Sequence, residues 1–362
     1  MTAEKNLCGD AIRDLEIRPG YSIRYIDKEV VAPRIAAFSG KSLTSVPRKP
    51  KLIISLTSFP ERMHDIHFCL YSLLDQTVSP DAVILWLAEE QFPNKEKNVP
   101  AQVLGLVRCG LTIRWCKDLR QYKKLIPALR EFPEDVVVTA DDDIFYPRDW
   151  LERLYASYLK EPAAIHCHRA HRVAWIPRDE LRPYAGWQQC VRNVSPSFLN
   201  FFTGSGGVLY PPHCLDARVF DEASFNRIAF SNDDVWFWGM AVRKGTKVCV
   251  VPDNFRDLIY VNPDRELRRN GEFTLGTINN IQKENDRQLE RLFEFAPSIR
   301  ARLIAELKKD TGENFWRRFW PRRTFNAKWY LEQNPDVAAS GMDPYEHYKR
   351  FGEAEGRRPV PQ

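Results

Sequence analysis

The sequence predicts an α/β protein: a doubly wound, mostly parallel sheet followed by a small α-helical unit at the C-terminus. Three observations carry this. Four short apolar runs lie between residues 51 and 140 and alternate with helically spaced segments, the grammar of a sheet covered on both faces. Each run is apolar throughout rather than alternating, as strands buried on both faces are. Beyond residue 325 the strand pattern stops, and helix caps and helix stops take over.

Taken in order, the first fifty residues are mixed, and Pro47 and Pro50 punctuate the approach to the first run; an irregular arm with some local helix is expected there. Leu52-Ile53-Ile54-Ser55-Leu56 predicts a buried strand that stops at Thr57-Ser58-Phe59-Pro60. Met63, Ile66, Leu70 and Leu73-Leu74 recur at helical spacing up to Gln76, and Ser79-Pro80-Asp81 makes a turn. Ala82–Leu87 and Leu111–Trp115 predict the second and third strands. Tyr122–Phe132 predicts a helix that Pro127 must start or kink. Val136–Ala140 predicts the fourth strand, running straight into Asp141-Asp142-Asp143. A helix near Asp149–Lys160, a strand near Ala163–Cys167, an aromatic loop to Phe202 and a strand Val208–Tyr210 come next. Asn232-Asp233-Asp234 opens a helix to Arg243 that Gly245 closes, and Lys247–Val251 is strand-like. A long amphipathic helix is expected over Ile278–Phe295, and Ile299–Arg323 is basic and aromatic.

Composition narrows the class. With 362 residues and 44% hydrophobic content, the chain can bury a large core, and disorder throughout is excluded. Lys+Arg 53 against Asp+Glu 48 leaves only +5, weak for a dedicated nucleic-acid binder, so no nucleic-acid partner is expected. No run of about 18 apolar residues suggests a membrane span, and the start lacks the apolar stretch of a secretory signal. Eight cysteines without Cys-x-x-Cys spacing suit a reducing compartment, and a cytoplasmic protein is expected.

The residues that point to chemistry are acidic. Adjacent carboxylates repel, and Asp141-Asp142-Asp143 lies between apolar neighbours at the carboxyl end of a strand, where α/β sheets bind ligands. A hard divalent ion, Mg²⁺ or Mn²⁺, would neutralise such a cluster and could hold phosphate oxygens at the same time; the alternative is a solvated acidic turn. Asp233-Asp234 sits at a helix start, where helix capping competes with a general-base role. The neighbouring Trp236 and Trp238 suggest a surface for an acceptor sugar. Thr203-Gly204-Ser205-Gly206-Gly207 has no P-loop ending; its glycines would either let the backbone approach a ligand or make a tight turn before a strand. Lys123-Lys124 precede an apolar helix face, so one of them could reach a diphosphate, or both could form a solvated helix start. His166-Cys167-His168 with His171 suggests a metal, but no second ligand group at zinc spacing accompanies it, and cleft-lining strand residues are the alternative.

As an ordered set, Leu56-Thr57-Ser58-Phe59-Pro60-Glu61-Arg62, Ser72–Thr77, Val136–Thr139 with Asp141-Asp142-Asp143, Gly204-Ser205-Gly206-Gly207 and Asn232-Asp233-Asp234-Val235 resemble a bacterial glycosyltransferase of the A-type, Rossmann-like nucleotide-diphospho-sugar fold. The resemblance implies a hexosyltransferase-type enzyme with an Asp-x-Asp metal motif. Asp143, with Asp141, would be the Mn²⁺ or Mg²⁺ ligand. Asp141, Asp142, Thr57, Lys124, Gly206 and Gly207 would lie toward the nucleotide sugar. Asp234, with Asp233, would supply the catalytic base of an inverting reaction. A UDP-sugar donor and a glycan or lipid-linked glycan acceptor, in assembly of bacterial surface polysaccharide, are the implied partners. One departure is that no histidine occurs between His213 and His347 to complete the metal shell. The rival readings are a nucleotidyltransferase of related fold and a non-catalytic glycan-binding scaffold. The first should carry a glycine- and arginine-rich loop after the first strand, which Thr57–Pro60 is not.

The segment from Phe325 to Arg357 resembles a small helical module appended to some bacterial glycosyltransferases; Asn326 and Asp343 are its expected caps, Pro344 a first helical position, and Gly341 and Gly352 its stops. Between the two, Phe315–Arg323 interleaves arginine with tryptophan and could touch an anionic membrane peripherally at the inner face of the cell membrane, or anchor the tail. The expected organisation is an N-terminal arm (1–50), a catalytic domain (51–295), a basic aromatic helical linker (296–324) and the helical module (325–362).

Overall fold

The computed structural model describes residues 9–19, 21–40, 42–176, 180–192, 195–255, 257–264, 283–319, 325–352 and 355–358. The chain forms two compact units, residues 1–174 with 182–302, and residues 175–181 with 303–362.

In the first unit, strands β1 (Ile12–Arg18) and β2 (Tyr21–Ile26) form an antiparallel hairpin, and helix α1 (Lys28–Ala37) comes after it, capped by Asp27, whose side chain accepts from the Glu29 and Val30 N–H groups. The local helix expected in the N-terminal arm is α1, while the part expected to be irregular is a folded hairpin. Its charged alternation, Arg13, Asp14 and Glu16 among single apolar residues, is a weak local signal. The strand that extends it, Ile259–Tyr260 (β12), comes from the far end of the unit and pairs parallel to β2.

The main sheet keeps the expected order: β3 (Leu52–Thr57), α2 (Ile66–Leu74), β4 (Ala82–Ala88), β5 (Leu111–Cys116), α3 (Ile126–Glu131) and β6 (Val136–Thr139). Pro127 stands in the first turn of α3, where its missing N–H costs nothing, and a 3₁₀ turn at Arg120–Lys124 precedes it. Next come α4 (Trp150–Lys160), β7 (Ile165–Cys167), β8 (Ala170–Arg172), β9 (Asn200–Phe202), β10 (Val208–Tyr210), α5 (Glu222–Ile228), α6 (Asp233–Lys244) and β11 (Val248–Val250), then β12 and α7 (Glu284–Phe295). Residues 278–282, expected to begin α7, lie outside the described residues.

Seven strands make one sheet in the order β11-β7-β10-β6-β3-β4-β5. β3 runs parallel to β4 and β6, β4 to β5, and β7 to β11; only β10 runs antiparallel, to β6 and β7. The α/β, mostly parallel expectation is met. Leu52, Ile54, Leu56, Val83, Leu85, Val136 and Val138 pack with the nearly all-buried α2 in one apolar core. Strand register decides which loops meet at the sheet's edge. Ser55 pairs with Thr139, so the carboxyl ends of β3 and β6 leave the sheet side by side. Val208 also pairs with Thr139 but in the opposite direction, which brings the Thr203–Gly207 turn to the same edge.

The second unit holds three short helices at Ala327–Gln333, Pro335–Ser340 and Pro344–His347. Asn326 caps the first, with its side chain accepting from Trp329 N–H, and Asp343 caps the last; Gly341 closes the middle one at φ 67°. Phe325, Tyr330 and Val337 form a small core of their own. The side chains of residues 310–319 and all of 320–324 lie outside the described residues, so the interleaved arginines and tryptophans of Phe315–Arg323 do too. Among the described residues, no helix is long and apolar enough to cross a membrane.

Candidate active site

At the shared edge of β3, β6 and β10, the two acidic motifs meet around one buried lysine. Lys124 is only 6% exposed. Its backbone is tied to the sheet where Ser55 Oγ donates to the Lys124 carbonyl at 2.6 Å. Its ammonium lies 2.9 Å from Asp141 Oδ1 and 3.0 Å from Asp233 Oδ2. A buried ammonium would ordinarily lose its proton, but the carboxylates of Asp141, Asp233 and Asp234 outweigh burial and hold it well above its usual range. The solvated helix start is thus overturned. Lys123 is buried as well, and is paired with Asp118.

Asp234 is the N2 residue of α6. Asn232 caps that helix by accepting from Asp234 N–H at 3.1 Å, so capping belongs to Asn232 and leaves both aspartates available. Asp234 Oδ2 accepts from Gly204 N–H at 2.9 Å. Burial first, then the neighbouring Asp233 charge, push its carboxyl up to about 7. Asp233 is raised too, again chiefly by burial and against the pull of Lys124. Gly204 is required here: a Cβ would fall 2.8 Å from Lys124 Nζ and 2.9 Å from Asp234 Oδ1.

The three consecutive aspartates do three different things. Asp141 faces Lys124, and its N–H donates to Tyr146 Oη at 2.8 Å; that hydroxyl donates on to the Ser205 carbonyl at 3.2 Å, tying the aspartate loop to the glycine turn. Asp142, expected toward the nucleotide, turns inward instead. Ser58 Oγ donates to one of its oxygens at 2.5 Å, the Arg62 guanidinium takes the other, and burial pushes its carboxyl up to about 6. Asp143 shares Arg62, 2.8 Å from Oδ2, and stays about one-quarter exposed. Arg62 and Ser58, to which the sequence alone assigned no role, are therefore part of the site. Their place directly after a strand's carboxyl end was the available signal.

Several expected residues serve the fold instead. Trp236 and Trp238 are fully buried, and their indole N–H groups donate to the Val219 and Phe198 carbonyls at 3.1 Å each; they are core residues and present no acceptor surface. From Val235 to Val242 α6 is buried all round, and Trp236 packs with Phe225 and Phe295 while Trp238 packs with Phe201. Gly206 and Gly207 make room for protein rather than for a ligand. At Gly206 a Cβ would meet Arg169, and at Gly207, with φ +89°, it would fall 2.5 Å from Trp150 Nε1. Thr57 ends β3 with its hydroxyl donating to the Trp86 carbonyl at 2.9 Å. The histidines are buried and hydrogen-bonded, neither metal ligands nor cleft lining. His166 meets Ser157 Oγ and the Glu161 carbonyl, His168 the Trp150 carbonyl, and His171 Nδ1 accepts from Cys190 N–H. Burial pushes His166 and His168 down to about 4.

Among the described residues, no three His, Cys, Asp or Glu side chains form a ready-made cation cage. Asp141 and Asp143 nevertheless fit a hard divalent cation. Lys124 engages Oδ1 of the first and Arg62 Oδ2 of the second, which leaves Asp141 Oδ2 and Asp143 Oδ1 without a protein cation among the described residues. Mg²⁺-type ions are commonly held by one or two carboxylates with substrate phosphates completing the shell.

No protein-family profile matches the chain, and no curated protein matches it in sequence. Solved structures do resemble it. The mannosyltransferase PcManGT from Pyrobaculum calidifontis, in complex with GDP-Man and Mn²⁺, is 15% identical over 90% of this chain and 86% of that one, with a TM-score of 0.42. S. aureus TarS 1-349 is 14% identical over 68% and 72%, with a TM-score of 0.38. A 4-diphosphocytidyl-2C-methyl-D-erythritol synthase is 12% identical over 61% and 97%, with a TM-score of 0.36. Likeness at this level carries no argument about activity, which has to come from the residues themselves.

Proposed function

We propose that the protein is a divalent-metal-dependent glycosyltransferase that moves a sugar from a nucleotide-diphosphate sugar to an acceptor hydroxyl with inversion. The supporting observation is the convergence of two acidic motifs, distant in sequence, on Lys124 at the carboxyl edge of the sheet. Asp234, anchored by Gly204 N–H and with its carboxyl raised to about 7, is poised to take the proton of the attacking hydroxyl near neutral pH. Asp141 and Asp143 would hold the cation, which when bound supplies charge neutralisation for the departing diphosphate. Lys124 stands between Asp141 and Asp233 as their shared counter-ion. UDP-sugars are the first donors to test. A glycan or lipid-linked glycan of a bacterial surface polysaccharide is the proposed acceptor, met at the inner face of the cell membrane.

Incubation with a panel of nucleotide sugars and Mn²⁺ or Mg²⁺ is expected to release free nucleoside diphosphate, and Asp143→Ala or chelation is expected to lower that release by about 10²-fold or more. Pyrophosphate release from a nucleoside triphosphate and a sugar phosphate would instead establish a nucleotidyltransferase, and absence of both activities would leave a binding scaffold. For the membrane contact, vesicles containing anionic lipid are expected to retain the protein, with the double change Trp316→Ala, Trp320→Ala releasing it; equal retention of both forms ends that part of the proposal.

A further inference from the structure

Arg62 takes no part in the proposed proton transfer, yet it stands between two of the three aspartates. It ends the short 3₁₀ turn Pro60–Arg62 just after β3, and its guanidinium lies 5.3 Å from the Phe59 ring centroid. The same Nη1 meets Asp142 Oδ1 and, at 2.8 Å, Asp143 Oδ2. The two carboxylates are not equivalent. Asp142 is buried, and each of its oxygens already accepts a hydrogen bond, one from Ser58 and one from Arg62. Asp143 is more exposed, and among the described residues its ion pair runs through Oδ2. Burial works against the guanidinium's charge, but Asp143 and Asp142 keep it firmly protonated. Arg62 is thus a permanent cation, anchored on a buried aspartate and leaning on a more exposed one.

We propose that Arg62 is an internal counter-ion that competes with a divalent cation for Asp143, and that it thereby sets the cation affinity of the site. The inference rests on the metal reading of Asp141 and Asp143. Its physics is competition. Without a metal, three adjacent carboxylates need compensation, and Arg62 with Lys124 provides it. A bound dication would lie beside a fixed positive charge that repels it and that already occupies part of its ligand. Asp142, held by Ser58, keeps the guanidinium tethered beside Asp143 while a cation competes for it. Arg62 is accordingly a positioning residue, acting through Asp143.

The test is Mn²⁺ binding to the full chain, read from the spectrum of free Mn²⁺ by electron paramagnetic resonance, with Mn²⁺ alone and with Mn²⁺ plus inorganic pyrophosphate. Arg62→Met, which keeps the stem but removes the charge, is expected to bind Mn²⁺ at least ten-fold more tightly than the unmodified protein, and Arg62→Lys to restore weak binding. Circular dichroism melts of both variants check that each is folded, and Arg62→Gln serves as the second neutral variant if Arg62→Met is not. Unchanged or weaker Mn²⁺ binding by a folded neutral variant overturns the inference while leaving the metal site standing. Absence of Mn²⁺ binding in every form, with pyrophosphate present, overturns the metal reading and this inference with it.

Discussion

Asp234→Asn is expected to reduce sugar transfer by about 10²–10⁴-fold, the range for loss of a general base, and to raise the melting temperature at pH 8. Both effects come from the same placement. Burial and the adjacent Asp233 lift the Asp234 carboxyl to about 7 in the folded protein, from an ordinary value of 3.8. A carboxyl raised on folding is tolerated best in its neutral form, so its contribution to stability is fully present below about pH 4 and is lost as pH rises through about 7. Above that pH the native state carries an unfavourable charge. Asparagine keeps the shape and can still accept from Gly204 N–H, but carries no charge, and the gain is on the order of 4 kcal/mol at pH 8. The gain should vanish near pH 4. Activity of the unmodified protein should take the opposite course, rising with pH through about 7 as the base ionises. Thermal melts and initial rates across pH 4–9 check both; a variant less stable than the parent at pH 8 would sink the assignment of a raised, ionising carboxyl.

Lys124→Met should be the most damaging change to stability. Removing one partner of a buried ion cluster leaves the others uncompensated, at about 3–5 kcal/mol, and here Asp141 and Asp233 both lose their cation. Lys124 is held above its ordinary range, so its stabilising effect is present below the unfolded lysine value and persists through neutral pH. The melting temperature of the variant should therefore fall well below that of the parent at pH 8, and the gap should narrow as pH falls and the raised Asp233 takes up a proton. Lys124→Arg should not rescue it, because Gly204 closes on the ammonium too tightly for a wider head group. An unchanged melting temperature at pH 8 would show that the cluster holds no charge worth compensating.

Much of this was legible locally. The apolar runs of β3 to β6, the Asn232 cap and Gly245 stop of α6, and the caps at Asn326 and Asp343 are all signals written within a few residues. Asp141–Asp143 and Asp233-Asp234 were legible as candidates because adjacent carboxylates are costly wherever they stand. The tryptophans after Asp234 misled for a definite reason. Adjacency in sequence placed them beside the carboxylate, but α6 is buried on all sides from Val235 to Val242, so Trp236 meets Phe225 and Phe295, and Trp238 meets Phe201. Gly206 and Gly207 misled similarly, since a glycine declares only that something comes close, and here it is Arg169 and Trp150.

The sequence by itself determined the sheet, its order of elements along the chain and the two acidic motifs, because strand burial, helix capping and charge repulsion act over short stretches of chain. Only the tertiary structure decided which groups face one another. Parallel pairing of β3 with β6 brings Ser58 and Arg62 to Asp142 and Asp143, and the reversed strand β10 delivers Gly204 to Asp234. The division of roles within Asp141-Asp142-Asp143 likewise depends on partners 17 and 80 residues away, Lys124 and Arg62. The physical reason is that electrostatic partnership depends on distance in space, and register between strands far apart in sequence fixes that distance.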